Sequence, residues 1–237
     1  MEKIICISDT HNRHKHLTSK AMGDRLPEGD LLIHAGDFSG QGQKGEVQDF
    51  LKWLKEVSSK YTNGIVFIAG NHDKSFDPKF NDEISKPEWL QDELAALPSS
   101  IIYLENNYTI IDGIKIWGSP VTPWFHGDRW AFNKQRGFDI NDTWNQIPTD
   151  TDIIVTHGPI HGKLDFVLHD SHYAGCEELR YKIKSVKPKL HVCGHIHEGY
   201  GYDYDDDTIY VNASVCTGRY EPNNHPITIK NWEYESR

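Results

Sequence analysis

Five short apolar runs recur along the chain, and each of them ends in a cluster of polar residues. The apolar parts of these runs are rich in Ile and Val and lack the alternation of a half-exposed strand. Such runs are typical of strands that are buried on both faces of a sheet. We therefore predict five buried strands, which with their polar ends cover residues 3–11, 30–37, 64–73, 152–158 and 189–197.

Helical patterns lie between these strands. Residues 46–57 place apolar side chains on one stripe at helical spacing, and residues 175–186 repeat the pattern. A third helix is predicted over residues 87–97, where Pro87 suits the first helical position.

Two β-hairpins are predicted from the middle of the chain onward, over residues 108–118 and 200–214. The first contains Asp112 and Gly113, a pair that suits a type I′ turn. Strands that alternate with helices, together with these hairpins, predict an α/β sandwich with mixed sheets. No repeat, low-complexity tract or linker divides the sequence, so we expect residues 1–237 to form a single domain.

The charge of the chain argues against binding to long nucleic acid. Asp and Glu together number 35 against 25 Lys and Arg, which gives a net charge of −10. Proteins that bind long DNA or RNA usually carry a basic face, and the sequence contains no extended basic cluster. No apolar run approaches the ~20 residues of a membrane span. We therefore expect neither long nucleic acid nor a membrane as a partner.

The cysteines and the start of the sequence bear on the cellular compartment. Cys6, Cys176, Cys193 and Cys216 are far apart and form no C-x-x-C pair, so a disulfide framework is not expected. The sequence opens directly into the first predicted strand, without a signal-peptide pattern. These features predict a cytoplasmic protein, whereas nothing in the sequence indicates its oligomeric state.

The polar clusters at the strand ends supply the candidate chemistry. Ligands of open α/β sheets bind beyond the carboxyl ends of the strands, so the fold would bring these clusters to one edge. They contain Asp9, His11, Asp37, Asn71, His72, Asp73, His157, His195 and His197. Mixed oxygen and nitrogen ligands suit Mn²⁺, Fe or Zn²⁺ better than Mg²⁺ or Ca²⁺. Seven ligand side chains from this set of nine would be too many for one ion with an open position, but they suit two.

His195 and His197 illustrate why all five clusters are needed for this interpretation. In an extended segment alternate side chains point to the same side, so these two imidazoles face one way together. An isolated pair of this kind is more typical of two surface histidines beside a turn. The other four clusters favour a metal site, because chance rarely places ligand side chains after five strands.

In chain order, the clusters form the blocks D-x-H, G-D, G-N-H-D, H-G and G-H-x-H, at residues 9–11, 36–37, 70–73, 157–158 and 194–197. This complete set resembles the calcineurin-like metallophosphoesterase superfamily. Other segments are similar to the metallophosphoesterase-domain family first known from animal brain and related to class III cyclic-nucleotide phosphodiesterases. They are SDTHNRH (8–14), GSPVTPWF (118–125), THGPIHG (156–162), PKLHVCGHIHEGYG (188–201) and NASVCT (212–217).

The resemblance implies a fold and a set of residue roles. The fold would be a four-layer αββα sandwich of two mixed β-sheets flanked by helices. Asp37 would bridge two divalent metal ions, with Mn²⁺ as the first expectation and Fe or Zn²⁺ as alternatives. The first ion would be held by Asp9, His11 and His197, and the second by Asn71, His157 and His195. His72 would be a general acid or electrostatic stabiliser, with Asp73 holding its other ring nitrogen.

The chemistry implied by these roles is hydrolysis of a phosphoester. A water shared by two divalent ions loses its proton readily, and the resulting hydroxide attacks while the ions neutralise phosphoryl charge. The resemblance implies a phosphodiesterase for a small nucleotide, including 2′,3′-cyclic nucleotides. A metal-dependent phosphomonoesterase, including a protein phosphatase, is the first alternative because it uses the same site. A non-catalytic scaffold of the same fold is the second, although every ligand position is filled here.

Four further residues are candidates for contact with the substrate. Arg13 could bind phosphate or form a surface salt bridge. Trp124 and Phe125 could stack on a nucleobase or serve as ordinary packing. His161 could line the site or stabilise its own loop.

The remaining histidines divide by their position in the pattern. His34 and His191 fall inside predicted strands, so we expect them to be hydrogen-bonded interior residues. His14 lies outside the predicted strands and helices, and we expect it at the surface.

Overall fold

Two six-stranded β-sheets pack face to face, with helices on both outer faces, and two further sheets have two strands each. The computed structural model describes residues 1–81 and 86–234. The strands are β1 Lys3–Ile7, β2 Leu31–Ala35, β3 Ile65–Ile68, β4 Ile101–Tyr103, β5 Asn107–Ile111, β6 Ile114–Ser119, β7 Thr122–Pro123, β8 Asn133–Lys134, β9 Ile153–Thr156, β10 Phe166–Val167, β11 His172–Tyr173, β12 Leu190–Cys193, β13 Gly201–Tyr204, β14 Ile209–Asn212, β15 Ile227–Lys230 and β16 Glu233–Tyr234. The α-helices are α1 Lys44–Val57, α2 Glu88–Ala95, α3 Phe138–Trp144 and α4 Glu177–Val186. Short 3-10 helices cover His14–Leu17, Lys20–Met22, Ser58–Lys60, Lys74–Phe76, Pro78–Asn81 and His197–Gly199.

Both large sheets are mixed. The first has the order β16-β15-β1-β2-β3-β4, in which β1 to β4 are parallel and β15 is antiparallel to β1 and β16. The second has the order β13-β14-β12-β9-β6-β5, in which four parallel strands lie between antiparallel edge strands. The two-stranded sheets pair β7 with β8 and β10 with β11. The five predicted buried strands are confirmed as β1, β2, β3, β9 and β12.

Three layers of apolar side chains hold this arrangement together. Between the sheets, Ile33 of the first sheet belongs to one cluster with Val155 and Val192 of the second. A second cluster lies between the first sheet and helices α1 and α2, and a third between the second sheet and helices α3 and α4. Complete burial of a Val or Ile side chain stabilises a fold by about 1.5–3 kcal/mol. Three apolar interfaces between four successive layers of helix and sheet confirm the expected αββα sandwich.

The predicted helices are confirmed with small shifts at their ends. The helix α1 begins two residues before the predicted start, because Glu46 accepts hydrogen bonds from the amides of Gln41 and Gln43, both at 3.0 Å. Pro87 precedes the first residue of α2 rather than occupying it. Among the helices of residues 1–81 and 86–234, none is both long and apolar enough to cross a membrane.

Both predicted hairpins are confirmed, as β5–β6 and β13–β14. Asp112 and Gly113 have φ values of 52° and 76°, and positive φ at both central residues is what a type I′ turn requires. The sequence pattern did not predict α3, or the strand β15 that extends the first sheet beside β1.

The surface prediction for His14 is wrong. Its side chain is fully buried, and its ring lies 5.7 Å from that of Phe50 and 5.2 Å from that of Trp53, both on α1. The Nε2 atom lies 3.3 Å from a carboxylate oxygen of Asp49 on the same helix. The contacts come from a helix that follows later in the chain, so the local pattern around His14 gave no sign of them.

Candidate metal centre

The predicted ligands come together where β1, β2, β3, β9 and β12 end. Ligand atoms of Asp9, His11 and His197 lie within 4.8 Å of one another, and so do those of Asp37, His157 and His195. Asn71 adjoins the second group, with its Oδ1 2.9 Å from His157 Nε2. The structure thus brings all seven predicted ligands to one end of the sandwich.

Asp37 lies between the two groups. Its Oδ2 is 3.2 Å from Nε2 of His157 in the second group and 3.9 Å from Nε2 of His11 in the first. Its Oδ1 accepts a hydrogen bond from the His72 amide at 2.8 Å. One carboxylate is therefore within reach of both ligand groups.

Three of the histidines are anchored through Nδ1 to backbone carbonyl oxygens. The pairs are His11 with Ser39 at 3.3 Å, His157 with Ala35 at 2.8 Å and His197 with Thr217 at 2.8 Å. A histidine that donates through Nδ1 keeps the lone pair of Nε2 for a metal. The Nε2 atoms of His11 and His197 are only 3.3 Å apart, beside the carboxylate of Asp9. Two nitrogen lone pairs and a carboxylate at these distances form a donor set that a cation satisfies.

Several of the predicted ligands have a strained, left-handed backbone conformation. Asp9, His11, Asp37 and His195 have φ values of 50°, 40°, 54° and 66°. A residue with a side chain pays of order 1–3 kcal/mol for this left-handed conformation, which persists where surrounding contacts enforce it. Strain of this kind clusters at functional sites, and here it is found at four of the seven predicted ligands.

Two glycines allow the loops to approach the carboxylates. A Cβ atom on Gly194 would lie 2.0 Å from Asp9 Oδ2, and one on Gly70 would lie 2.3 Å from Asp37 Oδ1. Both distances are far shorter than any van der Waals contact, so a side chain at either position would displace a predicted ligand. The space is used by hydrogen bonds, since the amide of His195 donates to Asp9 Oδ2 at 3.0 Å.

Charge interactions shift the pKa values within the cluster in opposite directions. Burial opposes ionisation of Asp37, but the charge of His157 and its neighbours outweighs burial and lowers the pKa of Asp37. Burial likewise opposes protonation of His157 and His197, but the carboxylates that they face raise the pKa of each to about 9. Burial prevails at His11 and His195 and lowers their pKa values to about 4 and about 3. Metal ions bound here would therefore replace protons on some of the histidines.

His72 lies beside the ligand groups and is held by the backbone. Its Nδ1 donates a hydrogen bond to the carbonyl oxygen of Gly40 at 2.7 Å. Nε2 is therefore the nitrogen that can contact a bound molecule. A ring nitrogen of His72 lies within 4.8 Å of ligand atoms of His11 and Asp37. The ring is therefore adjacent to both groups.

The prediction that Asp73 holds the other ring nitrogen of His72 is wrong, because the Gly40 carbonyl occupies that position. The Asp73 carboxylate is fully buried and accepts hydrogen bonds from the amide and hydroxyl of Ser39, at 3.0 and 2.6 Å, and from the amide of Gly70 at 2.8 Å. Burial, together with the charge of Asp37, raises the pKa of Asp73 to about 8. Asp73 thus joins the loops that follow β2 and β3.

The four substrate candidates occupy different surroundings. Phe125 is at the site, with its ring 4.8 Å from that of His195. His161 is half-buried, and its Nδ1 lies 3.6 Å from Asp165, which favours the loop-stabilising alternative. Arg13 and Trp124 are both exposed, so they stay candidates for contact with a bound molecule.

Two aromatic residues at the site were missed by sequence reasoning. The ring of Trp130 lies 4.4 Å from that of His72, and the ring of Tyr220 lies 4.8 Å from His11 and 5.5 Å from His197. The aromatic segment 122–130 was the available signal for Trp130. Tyr220 follows the last recognisable motif, and its φ of 59° is visible only in the structure.

A mixed αββα sandwich with Asp, His and Asn side chains clustered at its strand ends has the donor set of a divalent-metal protein. Residues 2–199 match the family model described as Calcineurin-like phosphoesterase. The chain belongs to the calcineurin-like phosphoesterase family, as the motifs predicted. Membership of this family supports metal-dependent hydrolysis of a phosphoester as the activity of the protein.

Relatives agree with this assignment. The human and mouse proteins named Metallophosphoesterase domain-containing protein 1 are each 40% identical over 240 residues, which cover 96% of this chain and 70% of each relative. The crystal structure of TT1561 of Thermus thermophilus matches with a TM-score of 0.64 and 12% identity, over 99% of this chain and 97% of that one. At that identity the structural match supports the fold alone.

Proposed function

We propose that this protein is a dinuclear metal-dependent phosphodiesterase that hydrolyses a small nucleotide. The observation that carries the proposal is the position of Asp37, whose Oδ2 is 3.2 Å from His157 and 3.9 Å from His11. A carboxylate between two groups of imidazole and carboxylate ligands is the arrangement that a pair of metal ions needs.

In this proposal, Asp9, His11 and His197 would hold the first ion, Asn71, His157 and His195 would hold the second, and Asp37 is within reach of both groups. The donor set of nitrogen and oxygen suits Mn²⁺ first, with Fe or Zn²⁺ as alternatives. When bound, a pair of divalent ions supplies the attacking hydroxide and neutralises phosphoryl charge. The carbonyl bonds of Ser39, Ala35 and Thr217 keep three of the imidazole rings in the orientation that binding requires.

The side chain proposed to protonate the leaving oxygen is His72. Its Nδ1–H is used by the Gly40 carbonyl, so a proton for the substrate would be delivered from Nε2. The amide of the same residue donates to Asp37, which fixes the loop relative to the metal ligands. A general acid at this position accelerates phosphoester cleavage most when the leaving group is a poor one.

Support for a small nucleotide comes from the charge and the aromatic lining. The net charge of −10 disfavours long nucleic acid as a substrate. Phe125, beside His195, offers a ring face on which a nucleobase could stack. We further propose a cytoplasmic location, supported by four buried cysteines that are all unpaired.

Turnover of two model substrates tests the choice between diester and monoester. With added Mn²⁺, we expect faster turnover of bis(p-nitrophenyl) phosphate than of p-nitrophenyl phosphate, and hydrolysis of at least one 2′,3′-cyclic nucleotide. Preference for the monoester would instead support the phosphomonoesterase. No turnover of any phosphoester by the metal-loaded protein would support the scaffold.

The role of His72 is tested by the variant His72→Ala. We expect unchanged metal content and a loss of roughly 10²–10⁴-fold in kcat, the usual contribution of a general acid. The loss should be large for a nucleoside leaving group and small for p-nitrophenolate, which leaves without protonation. Equal losses on both substrates would reject the acid role, and loss of metal would mean that His72 is itself a ligand.

A further inference from the structure

The His72 ring is in contact with an aromatic side chain that belongs to none of the metal-binding motifs. The ring centroids of Trp130 and His72 are 4.4 Å apart, with an angle of 36° between the planes. Trp130 is half-buried, and the nearly parallel ring of Phe125 lies 6.3 Å away. The indole has no carboxylate, imidazole or thiolate to offer a metal, so its contact with His72 requires another explanation.

The segment that carries Trp130 is hydrogen-bonded to the loop that carries His72. The amide of Ala131 donates to the carbonyl oxygen of Asn71 at 3.1 Å. The amide of Phe132 donates to the Asp77 carboxylate at 2.8 Å. The first of these bonds joins the residues directly adjacent to Trp130 and His72. The backbone therefore fixes the two rings in register with each other.

A charged side chain connects Trp130 back to the backbone anchor of His72. Lys74 Nζ lies 5.0 Å from the centroid of the Trp130 ring, within cation–π distance. The same ammonium donates to Oε1 of Gln41 at 2.7 Å. Gln41 follows Gly40, whose carbonyl accepts the Nδ1–H bond of His72 at 2.7 Å. These contacts form a closed cycle that includes His72.

We propose that Trp130 is a positioning residue for His72 and that Lys74 holds the indole in place. The proposal rests on the proposed function, because it assigns Trp130 a part in presenting His72 to the leaving oxygen. A single hydrogen bond at Nδ1 restrains the imidazole ring but leaves some rotation about its side-chain torsions. Packing against an indole face restricts this rotation and keeps Nε2 aimed at one place.

We expect a large effect from the loss of Trp130, because the rate of proton transfer depends strongly on the position of the donor. Displacement of a reacting group by about 1 Å can cost roughly 10²-fold in rate. Trp130→Ala should therefore lose roughly 10²-fold in kcat, with KM and metal content close to those of the unchanged protein. Trp130→Phe keeps a ring against His72 and should retain most of the activity.

A double-variant comparison separates positioning from general damage. We would compare Trp130→Ala, His72→Ala and the variant with both changes, each loaded with Mn²⁺ and assayed for metal content. Once His72 is absent, Trp130 has nothing to position, so the double variant should be no slower than His72→Ala alone. Should Trp130→Ala fail to fold, Lys74→Met tests the same contacts and should lower kcat several-fold without loss of metal.

Trp89→Ala is the matched control. Trp89 is also a half-buried indole beside a lysine, with Lys44 Nζ 5.7 Å from its ring, but it lies on α2 and packs against the core between α1 and the first sheet. We expect the folded variant to keep the kcat of the unchanged protein.

Several results would overturn the proposal. These are a normal kcat in Trp130→Ala, a loss of metal in that variant, or losses that multiply in the double variant. Failure of the proposed function would look different, because the unchanged protein would then prefer a phosphomonoester or hydrolyse no phosphoester.

Discussion

His34 and His191 lie inside the strands β2 and β12, whereas His157 and His197 lie beyond the carboxyl ends of β9 and β12. Little of any of the four side chains is exposed. The interior pair is neutral in character, since each ring bonds to a threonine hydroxyl and burial lowers each pKa to about 3. The pair beyond the strand ends faces carboxylates, which raise each pKa to about 9.

Burial alone therefore does not distinguish a candidate metal ligand from an interior histidine. His191 and His197 belong to one segment of the chain, and they differ in what their rings face. A threonine hydroxyl provides the hydrogen-bond partner that a neutral, buried imidazole needs. A carboxylate beside a second imidazole leaves an excess of negative charge and lone pairs, which calls for a proton or a metal ion. The expectation that His34 and His191 are interior residues is confirmed.

The largest effect should follow from removing the carboxylate between the two groups. Asp37→Ala should lower metal content at both groups and reduce kcat by more than the roughly 10²–10⁴-fold expected for loss of a general acid. Asp49→Ala is the matched control, because Asp49 also faces a buried histidine, His14, at 3.3 Å but lies outside the site. Elemental analysis and turnover of both variants check the prediction, and a full metal complement in Asp37→Ala would contradict it.

Metal-free protein should show opposite pH responses from the two sets of histidines. The pKa of His157 is raised to about 9 from an unfolded value of about 6.5, so its stabilising contribution is complete below pH ~6.5 and is lost as the pH rises toward 9. The pKa of His191 is lowered to about 3, so stability falls as the pH drops below ~6.5, where the unfolded chain takes up the proton.

Urea unfolding of chelator-treated protein at several pH values measures both responses. The decline between pH 7 and 9 should be smaller in His157→Gln than in the unchanged protein. The decline between pH 6 and 4 should be smaller in His191→Gln. The opposite pH responses assigned to His157 and His191 would be wrong if both variants changed the stability in the same pH range.

The smallest effect should follow from removing the hydroxyl partner of an interior histidine. Thr156 Oγ1 lies 2.8 Å from His191 Nε2, and both residues are buried. Thr156→Val removes this contact together with the hydroxyl's hydrogen bond to the Gly158 carbonyl at 2.7 Å, and should lower the free energy of unfolding by about 1–3 kcal/mol. Thr156→Ser keeps the hydroxyl and serves as the control, so equal losses in the two variants would show that the hydrogen bonds are not responsible.

Much of the fold and the clustering of the candidate metal ligands could be predicted because each depends on a local pattern. A buried strand shows as an apolar run, and its carboxyl end shows as the polar cluster that follows. The surroundings of a ring depend instead on segments distant in the sequence. Trp130 reaches His72 through pairing of their two loops, and His14 is buried by residues of α1. The prediction that Asp73 holds the His72 ring was wrong for the same reason. The loop after β2 supplies the partner of His72, Gly40, and a partner of Asp73, Ser39.

The metal content of the active protein shows whether the site holds a pair of ions. Protein purified without chelator, loaded with Mn²⁺ and freed of excess ions, would be measured for metal by elemental analysis and for phosphoesterase turnover in the same sample. We expect about two divalent ions per chain at full activity, loss of activity with a chelator and recovery with Mn²⁺. Full activity with one ion per chain, or with none, would contradict this expectation.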